Sequence, residues 1–148
     1  MDMCLILDME CILICNQKNS KLWSMPLLSI HKDEKIMIVE LAKIDEITAN
    51  KWYEYSLQTA KGLLSIMLLQ QNGQYHAFEN SCPHQGRRMD YAVGQFLTDG
   101  VGTLICPAHG AEFNPNSGLC TNGPCKGQSL KSIHIQLNEE AIFAIIQE

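Results

Sequence analysis

Two short segments collect the residue types that hold transition metals: Cys82-Pro83-His84-Gln85-Gly86 and Cys106-Pro107-Ala108-His109-Gly110. They present C-x-H and C-x-x-H on separate stretches, each with Pro after the Cys and Gly closing the motif. Two thiolates and two imidazoles complete the donor set of a tetrahedral zinc, or of a cluster in which one iron takes Cys and the other takes His. Spacing favours the second. Zinc sites pair like ligands as C-x-x-C and H-x₃₋₅-H, whereas here each segment mixes one Cys with one His. A cluster spanning two irons suits that mixture, each loop giving its Cys to one iron and its His to the other.

The flanking residues fit the same chemistry. Gly86 and Gly110 allow tight turns that bring backbone N–H groups towards the sulfurs, and such hydrogen bonds stabilise the more negative reduced cluster. The other cysteines are weaker candidates. Cys4, Cys11 and Cys15 have the wrong spacing for a zinc knuckle and read as small apolar residues of an N-terminal segment. Cys120 and Cys125 flank Gly123-Pro124 without C-x-x-C geometry and read as free loop thiols. His31, His76 and His134 read as surface or satisfied histidines, and Arg87 and Arg88 as charges solvating the first loop. Trp23, Trp52, Tyr53 and Tyr55 read as packing residues.

The elements that must position the loops are strands. From Ile36 onward, short apolar runs are broken by turn residues every eight to twelve positions, which is the pattern of an antiparallel all-β domain. Strands are expected at Ile36–Leu41, Trp52–Leu57, Leu63–Gln70, Tyr75–Glu79, Gly94–Leu97, Val101–Ile105 and Ala111–Asn114. A closing hairpin is expected over Ile133–Leu137 and Ala141–Ile146. Asn72-Gly73 suits the positive φ of a two-residue hairpin turn. Residues 1–35 lack clear periodicity and read as an N-terminal extension, leaving 36–148 as the domain.

Bulk properties narrow the function. The chain has 148 residues, 46% of them apolar, enough for one domain with an ordinary core. Eleven basic against sixteen acidic residues give a net charge of −5, with no basic run, which argues against nucleic acid as a partner. No stretch is apolar for the ~18 residues that a membrane helix needs. The first fifteen residues carry Asp2, Asp8 and Glu10 but no Lys or Arg, the wrong charge for a secretory signal. A cytoplasmic location is expected, and seven cysteines, an odd number, then imply thiols or metal ligands rather than a disulfide framework.

The two loops, followed by Ala111-Glu112-Phe113-Asn114-Pro115-Asn116-Ser117-Gly118 and then Gly123-Pro124, resemble the Rieske iron-sulfur domain from about Ile36 to Glu148. The resemblance implies a Rieske-type antiparallel β-sandwich or barrel base with a small cluster-binding cap. The cap would comprise loops near 80–88 and 104–112 and a covering loop near 120–127. It implies one [2Fe-2S] cluster, with Cys82 and Cys106 on the buried iron and His84 and His109 on the outer iron. The respiratory branch of the family has a disulfide between the cluster loops, where Arg87 and Ala108 stand here. That branch also has Ser and Tyr hydroxyls near the cluster, where Ala111 and Phe113 stand. The interval from His84 to Cys106 is 21 residues, longer than in compact ferredoxins, so the intervening hairpin over Met89–Thr103 should be extended.

The resemblance thus implies a low-potential ferredoxin that carries single electrons from a flavin-dependent reductase to a terminal oxygenase or another redox enzyme, with no substrate turnover of its own. Two alternatives stand beside it: a non-catalytic accessory subunit like the small Rieske-fold partner of nitrite reductase, and a structural zinc module.

Overall fold

A computed structural model describes residues 35–147. The expectations for the extension up to residue 34, and for Cys4, Cys11, Cys15, Trp23 and His31, lie outside the described residues.

Eleven strands run through the described residues, with a single 3₁₀ turn, Ile44–Glu46, and no α-helix. They are β1 (Ile36–Lys43), β2 (Trp52–Thr59), β3 (Gly62–Gln71), β4 (Gln74–Glu79), β5 (Asp90–Ala92) and β6 (Gln95–Thr98). The rest are β7 (Leu104–Ile105), β8 (Glu112–Phe113), β9 (Cys120–Asn122), β10 (His134–Leu137) and β11 (Ala141–Gln147). All pairing is antiparallel, in three sheets ordered β1-β11-β10, β2-β3-β4 and β5-β6-β7-β8-β9.

Strand β3 explains how base and cap join. Its run Ile66-Met67-Leu68-Leu69 is buried throughout, without the alternation of a half-exposed strand. Successive side chains on a strand point to opposite faces, and here both faces are covered. Ile66 and Leu68 pack with Leu41, Ala77, Ile142, Ala144 and Ile146 in the core between the first two sheets. Met67 and Leu69 enter a second core with Trp52, Phe78, Met89, Leu104 and Phe113, which also contains Cys82, Cys106, Cys120 and Cys125. One strand therefore carries the sandwich on one face and the metal-loop cap on the other.

The β3–β4 turn has Asn72 at φ 52 and Gly73 at φ 77, the two positive values of a type I′ turn, as the Asn-Gly pair predicts. The closing hairpin also forms as expected, with β10 on β11 from His134↔Ile145 to Leu137↔Ile142. Trp52 is a packing residue, its ring 6.3 Å from that of Phe78 and 6.0 Å from that of Phe96.

Other strands differ from expectation. The predicted strand Val101–Ile105 shrinks to Leu104–Ile105, because the Asp99 carboxylate accepts hydrogen bonds from the amides of Val101 and Thr103 and holds 99–103 as a loop. Ala111–Asn114 shrinks to Glu112–Phe113, since Asn114 leaves the ladder to close the next turn. Strand β5 and strand β9 are additional, each only three residues long. The hairpin of β5 and β6 occupies the interval between the two cluster loops.

Candidate metal centre

Both cysteine-histidine segments fold into the same loop. In the first, Cys82 N–H donates to Arg87 O at 2.7 Å and Gly86 N–H to Cys82 O at 2.7 Å. In the second, Cys106 N–H donates to Ala111 O at 2.8 Å and Gly110 N–H to Cys106 O at 2.9 Å. Gly86 and Gly110 take φ 67 and 70, left-handed values that glycine adopts without strain. C-x-H and C-x-x-H are thus one loop design with the His at its third or fourth position.

Asn114-Pro115-Asn116-Ser117-Gly118 repeats the design. Asn114 N–H donates to Leu119 O and Gly118 N–H to Asn114 O, both at 2.9 Å, with Gly118 at φ 70. Here the side chain at the first position is an amide, and its Oδ1 accepts the N–H groups of Asn116 and Ser117 at 3.0 Å each. The comparison reveals what the loop does for a cysteine: it aims backbone donors at the first side chain. Accordingly, the N–H of His84 hydrogen-bonds to the sulfur of Cys82.

Cys82 and Cys106 are buried at 2% and 1% exposure, whereas His84 is half-buried and His109 exposed. The two imidazoles stand edge to face with ring centroids 5.0 Å apart. The two cysteines are thus buried, and the two imidazoles adjoin each other nearer the surface. Nδ1 of His84 is buried without a hydrogen-bond partner, an arrangement that costs free energy unless something else takes the lone pair. Burial pushes the Cys82 thiol up, and the adjoining Cys106 thiol reinforces this against the lowering effect of the His84 N–H. Two adjoining buried sulfurs ionise together only beside a cation. Among the described residues, no three His, Cys, Asp or Glu side chains converge on a point suited to a single ion. The chemistry of the donor set, two thiols and two imidazoles, fits a binuclear group that takes two protein ligands per iron.

The structure adds residues that the sequence reading left out. Behind the first loop, the Asp90 carboxylate, with its side chain 1% exposed, receives Arg88 through Nε at 2.8 Å and Nη2 at 2.7 Å. It also accepts Asn80 Nδ2 at 2.9 Å and the Gly94 amide at 3.1 Å. Asn80 Oδ1 accepts the Met89 amide, and its Nδ2 also reaches Ser65 Oγ. Ser65 and Ser56 both donate to Glu54 Oε1 at 2.6 Å, which lies 3.4 Å from Arg88. Burial pushes the Asp90 carboxyl up, but the donors from Arg88, Asn80 and Gly94 outweigh it and hold it below the usual range. Arg88 therefore does more than solvate the loop; it is the ion-pair partner of a buried acid. Its signal in the sequence was the Arg-Met-Asp spacing straight after the loop.

Cys120 and Cys125 are free, as expected, but they are buried in the cap core rather than set in an open loop. Cys125 donates to Cys120 across 3.3 Å. Burial and the neighbouring Cys120 and Cys82 sulfurs push the Cys125 thiol up to about 12. His76 is half-buried on β4, with burial lowering its pKa, and His134 is exposed on β10.

No helix among the described residues is long and apolar enough to cross a membrane. A family model for the Rieske [2Fe-2S] domain matches residues 37–137. The ferredoxin component of an alkene monooxygenase system from Xanthobacter autotrophicus is 26% identical over 91 residues, 62% of this chain and 68% of that protein. Human apoptosis-inducing factor 3 is 31% identical over 81 residues, 53% of this chain, but the match spans only 12% of the human protein's length. Among solved structures, the ferredoxin of carbazole 1,9a-dioxygenase from Nocardioides aromaticivorans superposes with a TM-score of 0.54 at 19% identity, covering 72% of this chain and 95% of that one. The terminal oxygenase of carbazole 1,9a-dioxygenase from Novosphingobium gives 0.62 at 16% identity, covering 75% of this chain and 30% of that one. These structural likenesses show the fold, and with the family match over most of the domain they establish that the chain belongs to the Rieske [2Fe-2S] domain family.

Proposed function

We propose that this chain is a Rieske-type ferredoxin that passes single electrons from a flavin-dependent reductase to a terminal oxygenase or another redox enzyme. Cys82, His84, Cys106 and His109 are the ligands of its one [2Fe-2S] cluster, which supplies reversible one-electron chemistry when bound. The observation that carries the reading is the polarity of the ligand set: two buried cysteines and two imidazoles meeting at the edge of the cap. The protein's own groups do the rest. Two loops of one hydrogen-bonded design hold the cysteines, the cap core of Phe113, Met89 and Leu104 excludes water from them, and exposed His109 provides the side on which a partner docks.

The carrier role is supported by the relatives. One is the ferredoxin component of an alkene monooxygenase system, and ferredoxins of this fold occur in complexes with the oxygenase of carbazole 1,9a-dioxygenase. The chain covers most of those ferredoxins but less than a third of the oxygenase chains. A cytoplasmic location is part of the proposal.

Stopped-flow mixing tests the role. Cluster-loaded protein mixed anaerobically with NADH and a catalytic amount of a ferredoxin reductase should bleach in one phase, taking one electron per cluster, and recover its colour on mixing with an oxidised acceptor. Cluster-loaded protein that stays oxidised with every reductase, yet is reduced by dithionite, would contradict the carrier role.

A further inference from the structure

The thiols of Cys120 and Cys125 lie outside the ligand set and stand side by side. Cys125 donates to Cys120 at 3.3 Å, and Cys120 donates to the Asn122 carbonyl at 3.1 Å. Backbone bonds hold both ends of the segment: Cys120 N–H to Gln128 O at 2.8 Å, Gly127 N–H to Cys120 O at 2.9 Å and Gln128 N–H to Cys125 O at 2.9 Å. A disulfide brings its sulfurs to about 2.05 Å, so a small side-chain rotation within this fixed loop closes the gap. Both thiols are 1% exposed, yet every other residue from Thr121 to Gly127 is exposed. The pair lies beneath this exposed stretch, and access for a small oxidant is part of the proposal.

We propose that Cys120 and Cys125 form a reversible disulfide in the cluster-loaded protein, making the covering loop a peroxide-responsive site beside the metal centre. One thiol sulfur gives an electron pair to an oxygen of hydrogen peroxide; the O–O bond breaks, one water leaves and a sulfenic acid remains. The second thiol attacks that sulfur, the S–S bond forms, the S–O bond breaks and a second water leaves. Two thiols and one peroxide thus give one disulfide and two waters, and a dithiol reductant returns two electrons and two protons.

Cys120 and Cys125 share the cap core with Cys82 and Cys106. Formation of the disulfide does not rest on the ligand assignment above.

The test treats full-length, cluster-loaded protein with hydrogen peroxide, alkylates the remaining thiols and maps tryptic peptides. Cleavage after Arg88 and Lys126 places Cys106, Cys120 and Cys125 on one peptide, residues 89–126, while cleavage after Lys18 keeps Cys4, Cys11 and Cys15 on another. The expected peptide carries one alkyl group, on Cys106, and is lighter by two hydrogens across Cys120 and Cys125, a change that dithiothreitol reverses while the visible absorption persists. Cys120→Ser should abolish the mass change. If Cys120→Ser fails to fold, mapping of the unmodified chain decides alone. Alkyl groups on both Cys120 and Cys125 after peroxide, irreversible oxygen addition at either, or a bond to Cys82 or Cys106 with bleaching would each overturn the proposal. Iron content of the same sample reports the ligand assignment separately.

Discussion

At the residue scale the cap holds a buried acid, Asp90, behind the first cysteine-histidine loop. Arg88 is half-exposed while Asp90 is enclosed, so Arg88→Ala leaves a carboxylate without its cation. Removing one partner of a buried pair costs about 3–5 kcal/mol, and discounting for the exposure of Arg88 leaves about 2–3 kcal/mol of lost stability, measurable by denaturant unfolding. The pH dependence has a definite sign. Asp90 and Glu54 both titrate below the usual carboxylate range in the fold, each pushed up by burial and pulled down further by its donors. Their contribution is therefore present above the unfolded carboxylate pKa of about 4 and is lost as pH falls through their folded values. Thermal unfolding from neutral to acid pH should show Asp90→Asn less stable than the parent at neutrality, with the gap closing below about pH 4. A constant gap would mean that Asp90 does not stabilise the fold through its charge. Cys82, His84, Cys106 and His109 were legible in the sequence because ligand type and loop form coincide in C-P-x-x-G. The network behind them was not, because nothing local says that Asn80, Glu54 and Ser65, on different strands, converge on Asp90.

At the element scale the turn glycines set how closely the cap loops stack. Gly123, at φ 97, lies so near the second metal loop that an added Cβ would meet Ala111 Cα at 2.8 Å. Backbone cannot yield as a flexible side chain does, so Gly123→Ala should lift the covering loop and combine strain with overpacking, about 2–4 kcal/mol together. Its signature is faster bleaching in a chelator than in the parent; an unchanged rate would mean that the covering loop does not protect the centre. Gly73→Ala is the contrasting case, since its added Cβ meets nothing within 4 Å and only the positive φ is strained. It should cost about 1 kcal/mol and leave bleaching unchanged. The long strands of the base were legible from their apolar runs and from Asn-Gly. The cap strands β5, β7, β8 and β9 have two or three residues each, too few for periodicity to register. Their ends are fixed by side chains such as Asp99 and Asn114, not by propensity.

At the scale of the whole molecule, a sandwich of two three-stranded sheets supports a five-stranded cap through β3. The cap core is apolar on the side facing the sulfurs: Ala111 and Phe113 are buried there and bring no hydroxyl. With backbone N–H groups as the main donors, the midpoint should fall near the low end of the Rieske range, roughly −150 mV rather than +300 mV. A titration giving a value well above zero would remove the low-potential assignment. The sandwich-and-cap plan followed from the resemblance; the sharing of one strand between two cores did not, because an uninterrupted apolar run looks the same whether one neighbour or two cover it. The central claim, that two cysteines and two histidines hold a binuclear cluster, is tested most directly by iron and acid-labile sulfide analysis with electron paramagnetic resonance of the dithionite-reduced chain. Two irons and two sulfides per chain, as the [2Fe-2S] family implies, with a rhombic signal whose mean g lies below the free-electron value, are expected, both disappearing in Cys106→Ser. Well-folded protein holding one zinc per chain, without sulfide or signal, would contradict it.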